Sequence, residues 1–93
     1  MKNKTEVKVT ISGRVQGVFY RASTRDKADE LGVTGYVKNL ANGDVEAVFR
    51  ADPETVEQMI QWCYKGSPAS AVQSVITQKS EPPEAFHSFE IRY

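Results

Sequence analysis

The sequence predicts an α+β sandwich in which two helices cover one face of an antiparallel sheet, and three observations predict it. Segments of period-two hydrophobicity alternate with segments of helical periodicity in the order βαββαβ. The two strand–helix–strand halves fit one sheet through right-handed crossovers. At 93 residues and 10.4 kDa the chain has room for one two-layer core, so residues 1–93 are expected to form a single domain with a shallow, surface-built site.

Each element has its own signal. Val7, Val9 and Ile11 alternate with Glu6, Lys8, Thr10 and Ser12, which reads as a first strand with one buried face. Gly13 and Gly17 frame a turn, and a helix from about Tyr20 to Leu31 closes on Gly32. Thr24, Ala28 and Leu31 share one face of it, with Arg21 expected to begin that stripe at the helix N-terminus. Thr34 to Leu40 reads as a strand, Asn42-Gly43 as a turn, and Val45, Ala47 and Phe49 as alternating positions of the returning strand. Asp52-Pro53-Glu54 starts a second helix: Asp52 can cap free amides, Pro53 suits the first helical position, and Glu54 complements the dipole. Its apolar stripe is Val56, Met59, Ile60 and Cys63, and it ends near Lys65-Gly66. A strand follows over about Val72 to Gln78, then a loop at Glu81-Pro82-Pro83-Glu84, then a short terminal strand at Phe89–Tyr93. The arrangement is ferredoxin-like with an additional C-terminal strand, and its second sheet face is expected to be largely wet.

Composition narrows the function classes. Twelve Lys and Arg balance twelve Asp and Glu, which removes the broad basic footprint of a nucleic-acid binder. The first 25 residues nevertheless hold six basic residues against one acid, so a small anion is drawn there. The lone Cys63 permits no internal disulfide, and no apolar run approaches the roughly 20 residues of a membrane span or the core of a signal peptide. A cytoplasmic protein with no membrane association is expected.

Gly13-Arg-Val-Gln-Gly17-Val-Phe-Tyr-Arg21 joins a strand to a helix. Glycines there let successive backbone N–H groups turn to one point, the helix N-terminus adds free amides, and Arg21 offers a planar fork for phosphate or carboxylate. A glycine-rich turn beside an exposed arginine is the plainer reading of the same residues. The spacing matches neither a nucleoside-triphosphate loop nor a dinucleotide fingerprint. Asn39 closes the strand that enters the hairpin and reads either as a turn-flanking residue or, if that strand lies beside the first helix, as a neutral hydrogen-bonding group near Arg21.

Those residues carry a resemblance. Gly13–Arg21 resembles the first signature of the acylphosphatases, and Gly35-Tyr36-Val37-Lys38-Asn39 with Gly43-Asp44-Val45-Glu46 resembles the second. Thr24, Leu31-Gly32, Gly66-Ser67-Pro68 and Ile91-Arg92-Tyr93 extend it over nearly the whole chain. One departure is Asp52, where the second signature ends in glycine; the helix cap expected there shifts a turn and spares the chemistry.

The resemblance implies hydrolysis of a carboxyl-phosphate bond to carboxylate and inorganic phosphate. It places phosphate on the backbone amides of Val15, Gln16, Gly17, Val18, Phe19 and Tyr20 and on Arg21, with Asn39 orienting the attacking water. The expected partners are a small acyl phosphate and inorganic phosphate as product and competitive inhibitor, with no nucleic acid, cofactor or metal, in a monomer. Leaving-group chemistry agrees: the loop carries no Cys, His, Asp or Glu, so it offers positioning and electrostatics alone. A carboxylate, with a conjugate-acid pKa of about 4, departs without protonation, whereas an alkoxide needs a general acid.

Two other readings compete: a non-catalytic phosphate-binding domain of the same fold, and an RNA-binding ferredoxin-like module, whose aromatic signature segment is missing. His87, Cys63, Trp62, Lys38 and Glu46 read as structural, the last two as a solvated charged face.

Overall fold

The computed structural model describes residues 4–80 and 86–93. Its elements are β1 (Thr5–Arg14), α1 (Tyr20–Leu31), β2 (Thr34–Asn39), β3 (Val45–Ala51), α2 (Pro53–Lys65), β4 (Ala71–Lys79) and β5 (Phe89–Arg92). The expected βαββαβ sandwich is borne out; the loop expected at 81–84 lies outside the described residues.

The sheet runs β4-β1-β3-β2-β5, with β1 and β3 central. The first four strands pair antiparallel, but β5 pairs parallel with β2, Val37 opposite Ile91. The sheet is therefore mixed rather than wholly antiparallel. Because β2 and β4 point in opposite directions, one reversal of the chain after β4 sends β5 along β2.

Val9 and Ile11 of β1, Val37 of β2 and Val45, Ala47 and Phe49 of β3 supply the buried face of the sheet. Val56, Met59 and Cys63 of α2 pack onto it, with Ile60 and Val7 at the margin. Burial pushes the Cys63 thiol up to about 12, so it stays a protonated small hydrophobe. Asp52 caps α2 as its sequence signals, accepting from the Thr55 amide at 3.0 Å.

Two expectations need correction. The buried stripe of α1 begins at Tyr20, not Arg21, and continues through Thr24 and Ala28 at a spacing of four. Arg21 lies one residue round the helix, half-buried at the sheet edge. The second sheet face is also less wet than its charges imply, since Glu6, Tyr36, Glu46 and Val48 are all buried. Long basic side chains lie over it and keep their charged heads in water. Arg50 reaches Glu6 at 3.5 Å, and Arg92 stacks 4.2 Å from the Tyr36 ring centroid. Glu46 meets Lys8 at 3.3 Å and Lys38 at 3.6 Å and accepts the Tyr36 hydroxyl at 2.7 Å. Burial alone would raise the Glu46 pKa; the hydroxyl and the two lysines outweigh it and hold the carboxyl below its usual value.

Candidate active site

The segment from Val15 to Phe19 bridges β1 and α1, and its shape follows from where its side chains can go. Val15 is driven into the core, 1% exposed, while Gly17 turns the backbone at φ 73°. Phe19 then adopts φ 61°, the one described non-glycine residue with positive φ, and its carbonyl accepts the Ser23 amide at 3.0 Å to open α1.

Three tethers fix this loop. The Gln16 side-chain amide donates to the Leu40 carbonyl at 2.8 Å and to the Asp44 carbonyl at 2.7 Å. Ser67 donates its hydroxyl to the Val18 carbonyl at 2.7 Å. The buried Tyr20 hydroxyl donates to the Cys63 carbonyl at 2.8 Å, and burial raises its pKa far above the ordinary phenol value. Gly66 makes room for that ring: a Cβ there would stand 2.8 Å from Tyr20 Cε2. Sequence reading gave Gln16 only a backbone role and gave Ser67 none beyond the family resemblance.

No side chain caps the α1 N-terminus and no acid occupies its first turn. Its amides and partial positive charge are open to an anion. The pocket in front of them, about 290 Å³, brings Arg21 and Asn39 together with Val15, Gly17, Phe19 and Tyr20. Gln16 and Val18 are not among its lining residues; the Gln16 side chain and the Val18 carbonyl turn away to Leu40, Asp44 and Ser67, and their backbone N–H groups are not used in those bonds. Ile91 and Tyr93 complete the wall from the end of β5, with the Arg21 guanidinium 4.9 Å from the Tyr93 ring centroid. Beyond the family resemblance no local pattern gives those two residues a place in the site, since the parallel β5–β2 pairing is what carries them there.

Asn39 is the distinctive group. Its Oδ1 is buried and has no hydrogen-bond partner among the described residues. An unmatched buried acceptor costs on the order of 1–3 kcal/mol, and is tolerated where a ligand or water completes it. A larger open groove of about 700 Å³ between α1 and α2 contains neither Arg21 nor Asn39, and its Lys27 and Glu30 pair at 2.6 Å. The chemistry therefore points to the smaller pocket. Among the described residues no three His, Cys, Asp or Glu side chains group as a metal site, and no helix is long and apolar enough to cross a membrane.

The fold and pocket together define a small α+β protein with an anion-receptive loop at a helix N-terminus. The acylphosphatase family model matches residues 7–91. A curated acylphosphatase from Synechococcus sp. is 52% identical over 92 residues, covering 99% of this chain and 97% of that protein. Another, from Haloquadratum walsbyi, is 50% identical over 91 residues, 98% of this chain and 97% of its own length. The solved acylphosphatase of Coxiella burnetii superimposes with a TM-score of 0.91 at 42% identity, covering 97% of this chain and 94% of that one. The chain belongs to the acylphosphatase family, so the expected family, fold and enzyme class are borne out.

Proposed function

We propose that this acylphosphatase, folded as one domain over residues 1–93, hydrolyses acyl phosphates in the pocket at the α1 N-terminus. The phosphoryl oxygens sit on the amides of Val15 to Tyr20 and on the Arg21 fork, both suited to a dianion. Water attacks phosphorus, the P–O bond to the acyl oxygen breaks, and its electron pair leaves on the carboxylate. The water's protons end on inorganic phosphate or in solvent. The observation that carries this reading is the unmatched Oδ1 of Asn39 in the same pocket as Arg21. That oxygen can accept a proton-bearing O–H of the incoming water and fix its line of approach, while a neutral amide cannot serve as base. Inorganic phosphate, the product, competes for the same amides. Dissociated monomers in the cytoplasm suffice for this chemistry, because every group named comes from one chain.

The test is release of phosphate from benzoyl phosphate by the purified chain against a protein-free control, with an alkyl phosphate monoester in parallel. Turnover of the acyl phosphate alone is expected. Equal turnover of the monoester would mean that a general acid operates and would overturn the leaving-group argument.

A further inference from the structure

We propose that Phe19 and Tyr93 form an acyl-group subsite on the rim of this pocket, selecting acyl phosphates with aromatic or bulky apolar acyl groups over acetyl phosphate. The inference rests on the acyl-phosphate reading and deepens it.

Phe19 is the starting point. Its φ of 61° lies where bulky residues are rare and glycine is at ease. The fold gives no return for placing phenylalanine there: the ring is 82% exposed, and no side chain of that position caps the helix. A strained residue without packing is a reason to look for function, and Phe19 lines the pocket that holds Arg21 and Asn39.

Tyr93 is the second. It too is a fully exposed large side chain on the same wall, next to the half-buried Ile91. Its ring lies 4.9 Å from the Arg21 guanidinium carbon. A guanidinium held over an aromatic ring can still present N–H groups to an anion, so this contact ties the ring to the place where a phosphoryl group would bind. The acyl group is joined to that phosphoryl group through one oxygen and must emerge at the rim.

Size and charge agree. A pocket of about 290 Å³ is roomier than a phosphoryl group requires and approaches the roughly 300 Å³ lower bound of small-molecule sites. Arg21 is the one charged side chain on its wall among the described residues, and no acidic side chain there would favour a cationic acyl group. Two aromatic rings and an isoleucine offer apolar surface instead.

The test compares kcat/KM for benzoyl phosphate and acetyl phosphate in the native chain, Phe19→Asn and Tyr93→Ser. Asparagine tolerates the left-handed backbone, and Phe19→Gly serves as a second variant with no strain at all. Because both substrates need the same phosphoryl site, their ratio within each protein isolates the acyl contribution. The benzoyl-to-acetyl ratio is expected to fall roughly 10-fold in the Phe19 variants, chiefly through KM, and to fall in Tyr93→Ser as well. A ratio unchanged within about twofold in all three variants, with both substrates still turned over, would overturn the subsite while leaving the activity standing. A native chain that turns over neither substrate would overturn the activity and the subsite together.

Discussion

Gln16 donates its side-chain amide to the carbonyl of Leu40, 2.8 Å away and 24 residues along the chain. With its second bond to Asp44, it fastens the anion loop to the hairpin immediately after Asn39. The two halves of the proposed site are thus held in register by one side chain. Gln16→Ala should cost roughly 1–2 kcal/mol in urea unfolding, the loss expected for two such bonds. It should also reduce kcat/KM for benzoyl phosphate, since small misplacements weaken oriented catalysis. Native stability and native turnover in this variant would show that the tether positions nothing.

Arg21→Lys keeps the charge and loses the planar fork. A fall of at least ~10²-fold in kcat/KM is expected, comparable to removing one strong transition-state donor. A folded lysine variant of near-normal activity would remove Arg21 from the mechanism.

Asn39→Ala should depress kcat steeply and leave phosphate inhibition almost unchanged, because the loop amides and Arg21 still hold the anion. Asn39→Asp should be equally inactive but should weaken phosphate binding through charge repulsion. Circular dichroism, kcat and the phosphate inhibition constant separate these outcomes. Normal turnover by folded Asn39→Ala would reduce the residue to a part of the hairpin.

Activity should survive exhaustive chelation, with inorganic phosphate competitive against acyl phosphate. Loss of activity in EDTA, recovered on adding a divalent ion, is the contrary result.

Glu46 makes stability depend on acid. Folding lowers its pKa below the ordinary 4.5, so as pH falls the unfolded chain takes up the proton first. The stabilisation is complete above that ordinary value and is lost as pH drops through the folded value. Glu46→Gln should therefore show a shallower loss of Tm than the native chain on acidification below about pH 4.5. Parallel Tm–pH curves would disprove the contribution.

What the sequence by itself determined is the set of elements and the two signatures. Local rules suffice for these: alternation along Val7–Ile11, the Asn42-Gly43 turn and the Asp52 cap act within a few residues. They also marked the loop before Arg21 as anion-receptive, since free amides at a helix start are a local property.

Tertiary structure decided what depends on direction and depth. Whether Arg21 or Tyr20 faces the core is one step of 100° on a helix, and only packing against Cys63 and Trp62 chooses Tyr20. Glu46 looks solvated in sequence but is buried once Lys8, Lys38 and Tyr36 close over it from other strands. Tyr93 reaches Arg21 because β5 runs parallel to β2, a pairing between segments about fifty residues apart that no local preference specifies. The unmatched oxygen of Asn39 has the same origin: an acceptor becomes costly only when the fold takes water away from it.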